Sequence, residues 1–182
     1  MVKTLIGVLV VAVAVIVVFM FIDPNIGIEE IGNTSTSDNS LVQDGYFSAT
    51  VEGDVAKPGS YVLKDGSTMG DLIEAAGGTT EYADDNAYYI DAELQSGKTY
   101  FIASKYDTSN VCSLTEIAKV NINSDSADTL VASKYFTSSV ANSIVSYRTE
   151  KGGFKTLEAL LDVYGIGNAT YKKVRNYVTL HA

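Results

Sequence analysis

The sequence holds almost none of the side chains from which metal sites and nucleophilic catalysis are built. Its 182 residues include one cysteine, Cys112, and one histidine, His181. No CxxC and no paired Cys/His spacing exists, which excludes a structural zinc site and an intramolecular disulfide. A Cys–His or Ser–His nucleophile would need His181, which stands next to the C-terminus on what reads as a frayed tail. The expectation is therefore a non-enzyme with no metal and no cofactor. Asp84–Asp85 lacks the converging carboxylates of a calcium site and reads as a solvated loop. Cys112, in SNVCSLT, reads as buried or idle; an intermolecular disulfide is the alternative for an odd exposed thiol.

Charge is missing as well, from one long stretch. Leu5 to Ile22, LIGVLVVAVAVIVVFMFI, is uncharged and apolar. Roughly 20 such residues cross a bilayer core as a helix. The run exceeds the roughly 7–15 residues of a signal-peptide core, and FMFID at its end offers no small-residue cleavage site. Ala12 and Ala14 make an A-x-A, but in mid-run. Residues 1–22 are thus expected to be an uncleaved transmembrane anchor, in contact with the lipid bilayer through residues 5–22. Lys3 precedes the run, while Asp23, Glu29 and Glu30 follow it. That asymmetry places the rest of the chain outside the cytoplasm, as a single-pass protein of the cell membrane. Residues 23–40, DPNIGIEEIGNTSTSDNS, have no apolar periodicity and read as a linker that reaches about 60 Å when extended.

Two textures follow. In residues 41–115, YFSATV alternates as a strand, KPG turns, and SYVL returns. STMGDLIEAAGG reads as a short helix capped by Ser67 or Thr68, with Met69, Leu72, Ile73 and Ala76 on one face and Gly77 at its end. AYYI and TYFIAS read as two further strands around QSGK. Strands on one helix make a small α+β domain. The tyrosines, Tyr88–Tyr89 among them, suit strands and core better than base-stacking platforms. In residues 118–182 the apolar spacing becomes helical, and four short helices are expected in an all-α unit. Residues 41–117 carry 4 Lys/Arg against 13 Asp/Glu, and residues 118–182 carry 8 against 5. An acidic middle followed by a mildly basic tail suggests that the tail meets something anionic.

LLDVYGIGNATYKKV, Leu160 to Val174, holds the most specific local pattern. Two glycines bracket Ile166 between two helical stretches. Gly165 and Gly167 can take φ > 0, which costs other residues about 1–2 kcal/mol. Ile166 is expected to point inward, with the N–H groups of Gly165, Ile166, Gly167 and Asn168 facing out at the start of the last helix. Asn168 would cap that helix, and Lys172 and Lys173 could reach a phosphate held there. Arg175 lies further along. A plain αα-turn is the alternative on these residues alone.

Leu160-x-x-Val163-x-Gly165-Ile166-Gly167 resembles the helix-hairpin-helix motif. KVNINSDSADTL followed by SYRTEKGGFKTLEALLDVYGIG resembles the C-terminal domain of ComEA-type competence proteins. VEGDVAKPGSYVLKDGSTMGDLIEAAGG resembles the SLBB, or β-grasp, domain that precedes it in that family, and an N-terminal anchor fits the same order. The resemblance implies a membrane-anchored receptor that binds double-stranded DNA through its phosphate backbone, without reading sequence, during natural transformation. It also implies a DNA-uptake channel protein as partner and self-association through the middle domain.

The family's domain has paired hairpins, and here the first departs from the pattern. Leu130, Phe136 and Ile144 match Leu160, Ile166 and Val174 of the second hairpin, thirty residues on, and Ala141 stands where the family motif expects a small residue. Tyr135 and Thr137 stand where glycines are expected, and Ser138, Ser139 and Val140 follow where lysines are common. The stretch Lys134, Tyr135, Phe136, Thr137, Ser138 is therefore expected to be a degenerate hairpin that keeps its packing and has lost much of its phosphate grip. A contact between Tyr135 and a partner protein is the alternative. At the level of sequence a second function also stays open: a surface scaffold or ligand-binding SLBB module whose helical domain does not bind DNA.

Overall fold

The computed structural model describes residues 44–107 and 114–182. The expected anchor, the linker and Cys112 lie outside these described residues. Among the described residues no helix is long and apolar enough to cross a membrane.

The first half is a small sheet on one helix. β1 (Tyr46–Gly53) buries Phe47, Ala49 and Val51 and turns the alternate residues outward. It pairs antiparallel with β2 (Gly59–Lys64), Phe47 opposite Leu63. On its other side it pairs parallel with β3 (Thr99–Ile102), Val51 opposite Tyr100. A hairpin, a helix and a strand parallel to the first, in the order β2-β1-β3, form the core of a β-grasp. The helix, α1 (Met69–Ala75), starts where expected: the Asp71 carboxylate accepts from the Thr68 N–H at 2.7 Å and from its hydroxyl at 3.1 Å. Met69, Leu72 and Ile73 pack on the sheet, and Gly77 at φ 82° ends the helix.

The expected strand at AYYI does not form. Asp84 accepts from the Asn86 N–H at 3.0 Å, and a 3-10 turn covers Asp85–Ala87. The carbonyls of Ile90 and Ala92 then accept from the N–H groups of Gly70 and Met69, each at 2.8 Å. Those N–H groups have no partner within α1, so this segment caps the helix instead of joining a ladder. A short antiparallel pair, β4 (Tyr106–Asp107) with β5 (Thr115–Glu116), leads into the second half.

The second half is helical but not all-α. β6 (Val120–Asn121) is followed by α2 (Ala127–Ala132), α3 (Ser138–Lys151), a 3-10 helix (Leu157–Asp162), α4 (Asn168–Val174) and β7 (Val178–Thr179). β6 and β7 pair in parallel, Val120 opposite Val178, with both valines in the core. This pairing ties the end of the chain to the start of the unit. Leu180 is buried, the His181 ring lies 4.8 Å from Tyr89, and its Nε2 is 3.0 Å from the Tyr88 carbonyl. The C-terminus is thus seated, not frayed. The third helix is 3-10, and its inward residues, Leu157 and Leu160, stand one 3-10 turn apart on one face.

The described residues pack as one compact unit although the sequence changes texture midway. Ala87 and Ala103 of the first half belong to the core of the second. Polar contacts seal the seam. Oε1 of Glu158 accepts from the Phe101 N–H on the β3 edge at 2.8 Å and from the Tyr171 hydroxyl of α4 at 2.7 Å. The Asn176 side chain accepts from the Ser104 N–H at 2.7 Å. Arg175 lies 3.8 Å over the Phe101 ring and donates to Glu52 at 2.9 Å. Lys119 and Asp84 form an ion pair at 2.6 Å with both side chains almost fully buried. Burial pushes the Lys119 ammonium below its usual range, and Asp84 opposes that shift.

Burial likewise pushes the Glu158 carboxyl above its usual range. A carboxyl whose folded pKa is raised favours folding most while it is protonated. That contribution is full below the unfolded value near 4.5 and is lost as pH rises through the higher folded value. Glu158→Gln keeps the shared acceptor and removes the buried charge. In urea titrations the variant is expected to match or exceed the parent at neutral pH, and to lose less stability than the parent on going from acid to neutral pH. Glu158→Ala orphans both donors and should cost at least about 1–3 kcal/mol.

Candidate nucleic-acid interface

The second hairpin begins at Val163, where the 3-10 helix stops in extended backbone. The Ile166 N–H donates to the Val163 carbonyl at 3.0 Å, and Gly165 stands at φ 91°. A four-residue turn with positive φ at its third position is the type II form, which demands glycine there. A Cβ on Gly165 would also sit 3.1 Å from Cγ2 of Val140, in the first turn of α3. Val163 and Ile166 are buried on either side of the turn. The inward pin at Ile166 is therefore as expected.

Three details of the hairpin differ from the expectation. Gly167 has φ −99° and ψ 175°, extended backbone open to any residue, so only one of the two glycines uses left-handed space. Gly167, not Asn168, is the N-cap of α4, and Asn168 is its first helical residue. The Ile166 N–H is consumed by the turn and is not an outward donor. The N–H groups of Gly165, Gly167 and Asn168 donate to no acceptor among the described residues. A Cβ at Gly167 would meet nothing within 4 Å. Among the described residues, then, nothing requires glycine at that position.

Lys172 and Lys173 are exposed and in no ion pair among the described residues. They stand in the last turn of the seven-residue α4, not in its first turns. At about 1.5 Å per residue they lie roughly 6 Å along the axis from the open amides, within reach of a neighbouring phosphate. Arg175 is committed to Glu52 and Phe101 at the seam.

The first hairpin keeps its packing. Leu130, Phe136, Ala141 and Ile144 are all buried. Its turn is built differently. The left-handed residue is Lys134 at φ 66°, one place before the counterpart of Gly165. Thr137, the counterpart of Gly167, is the N-cap of α3 in the same extended backbone, φ −75° and ψ 161°, and its hydroxyl accepts from the Val140 N–H at 3.4 Å. Tyr135 stacks on Tyr177 with ring centroids 4.6 Å apart. Its ring has a partner inside the chain. Ser138 and Ser139 open α3 and are exposed. The sequence places Lys134 in the degenerate hairpin but does not show its left-handed backbone, because nothing in the pattern marks a non-glycine residue for positive φ. Among the described residues no group of His, Cys, Asp and Glu is placed to hold a metal.

Two family models match the chain. The SLBB domain matches residues 48–100, and the helix-hairpin-helix motif matches residues 115–179. The first span takes in α1 and most of the sheet; the second takes in both hairpins. Along its length the chain is 29% identical to ComE operon protein 1 of Bacillus subtilis (strain 168). That alignment runs over 165 residues and covers 86% of this chain and 78% of the relative. In both matched domains and in their order the chain is similar to ComEA-type proteins. In this chain the second hairpin follows the motif closely, and the first retains the fold of the motif without its glycines.

The two glycines of the second hairpin should respond oppositely to substitution. Gly165→Ala is expected to cost about 1–2 kcal/mol for the left-handed backbone, with the Val140 contact in addition. Gly167→Thr copies Thr137 and should leave stability unchanged or raise it by up to about 1 kcal/mol, because threonine is at least as good an N-cap. Urea midpoints of the two variants against the parent check both.

Proposed function

We propose that this chain is a membrane-anchored, sequence-independent binder of double-stranded DNA that serves as a receptor for DNA uptake in natural transformation. The observation that carries the reading is the second hairpin: three N–H groups on a rigid turn and the neighbouring Lys172 and Lys173, all without a partner among the described residues. Open amides and lysines suit a phosphate and carry no information about base sequence. α4 is too short for its dipole to add much, so the amides and the lysines supply the attraction. The similarity to ComEA-type proteins supports the same reading.

The acidic first half repels a duplex and confines it to the hairpin side of the second half. Few phosphates are neutralised, so one chain binds weakly, on the order of 10⁻⁴–10⁻⁶ M at physiological salt. Several copies on one duplex would hold it far better, which fits self-association through the middle domain and transfer to an uptake-channel protein. Leu5–Ile22 supplies the anchor in this reading. The full-length chain should then stay in the membrane pellet after alkaline washing, and its release without detergent would remove the anchor.

Lys172→Glu with Lys173→Glu should weaken binding equally for unrelated duplexes and flatten the log–log salt slope by one to two units, since each neutralised phosphate accounts for about 0.9. Gly167→Thr, which is expected to fold like the parent, should lower affinity about ten-fold, the order of one lost charge-assisted hydrogen bond. If both variants bind like the parent, the second hairpin is not the site, and the scaffold reading, in which the helical half only packs, takes its place.

A further inference from the structure

Tyr164 is the most exposed large hydrophobic side chain among the described residues, at 85%. The neighbouring tyrosines of this half are seated: Tyr135 and Tyr177 stack on each other, Tyr147 stacks on Phe154, and Tyr171 donates to Glu158. Tyr164 has no such partner among the described residues. The turn does not ask for an aromatic there. The second position of a type II turn accepts most residues and favours proline. Its backbone is nevertheless fixed. Gly165, the bond from the Ile166 N–H to the Val163 carbonyl, and the buried Val163 and Ile166 hold the apex from both sides. The ring is thus held out from a rigid tip beside the open amides of Gly165 and Gly167.

The ground on the far side of the ring narrows what it meets. Tyr164 stands at the rim of a groove between α3 and the hairpin. Ser139, Asn142 and Ser143 line part of it without charge, while Glu150 and Asp162 also face it. The two carboxylates turn phosphates away from that side. The surface beyond the ring therefore suits the uncharged part of a nucleotide chain. Resting on the DNA-binding reading, we infer that Tyr164 is a duplex-contacting residue. Its ring packs on the deoxyribose edge of the groove next to the phosphate held by the hairpin, and it adds affinity that does not depend on salt.

The test uses the full-length chain and compares the parent, Tyr164→Ala, Tyr164→Phe and Lys172→Gln/Lys173→Gln in duplex titrations over a range of salt. Tyr164→Ala should lose about five-fold in affinity, the low end for an aromatic contact to nucleic acid, with the salt slope unchanged. Tyr164→Phe should bind like the parent, because the ring and not the hydroxyl makes the contact. The lysine pair should instead flatten the slope. Urea midpoints of the Tyr164 variants should equal the parent's, since the ring is exposed. Parent-like binding by Tyr164→Ala, alongside a weakened lysine variant, overturns the ring contact and leaves the DNA reading standing; the ring would then serve a protein partner. Loss confined to single-stranded DNA also overturns it, because the ring would then stack on an unpaired base. A parent that binds no duplex overturns both.

Discussion

One carboxylate oxygen joins the two halves of this chain at the place where function is proposed. Oε1 of Glu158 accepts from a backbone N–H on the β3 edge and from the hydroxyl of Tyr171 on α4. α4 carries Lys172 and Lys173, and its N-cap is Gly167. The direction in which the second hairpin faces is therefore set by a bond to the sheet as well as by packing within the helices. Arg175 and Asn176, directly after α4, repeat the arrangement by holding Glu52 and Ser104. A buried acceptor shared by two donors is costly to remove and specific in geometry, which makes it a good device for fixing one orientation. The cost of keeping its charge buried appears in the raised pKa of Glu158.

The two hairpins show how one scaffold gives two surfaces. Both place a buried residue at the centre, Phe136 and Ile166, and both start their second helix from extended backbone, at Thr137 and Gly167. They differ in the outward groups. In the first, a threonine hydroxyl occupies the Val140 N–H, and the left-handed residue carries a lysine side chain. In the second, the same cap position is a glycine that leaves its surroundings open. The contrast explains why glycine at position 167 is informative: the same backbone elsewhere in the chain is held by threonine without strain. A glycine that the fold does not need leaves room for something outside the fold.

Much of this architecture is legible in the sequence. The hairpin of β1 and β2, the capped α1, the pin at Ile166 and the packing residues of the degenerate hairpin follow from alternation, capping and spacing, which are local. Long-range pairings are the ones that local patterns miss. The β6–β7 pair joins residues far apart in the chain, and each strand is too short to show a period. AYYI has the composition of a strand, yet the Ile90 carbonyl at its end and the Ala92 carbonyl just beyond it are claimed by the N-terminal amides of α1. Glu158 reads as an ordinary helix-start acid until β3 is set beside it. Gly167 and Asn168 were misassigned because a G-h-G pattern marks a tight turn without saying which glycine is left-handed. The open amides could be anticipated; the exposure of Tyr164 could not, since nothing in the local pattern says whether an aromatic beside a glycine turns inward or outward.

The central claim is that this fold holds a duplex by its backbone through few ionic contacts. The most direct measurement is a titration of the full-length parent with two duplexes of equal length and unrelated sequence, across a range of salt concentration. Equal affinities for both, falling together with a shallow log–log slope of about two to three units, agree with a small phosphate grip. A preference for one sequence, or no binding at the lowest salt, would contradict it.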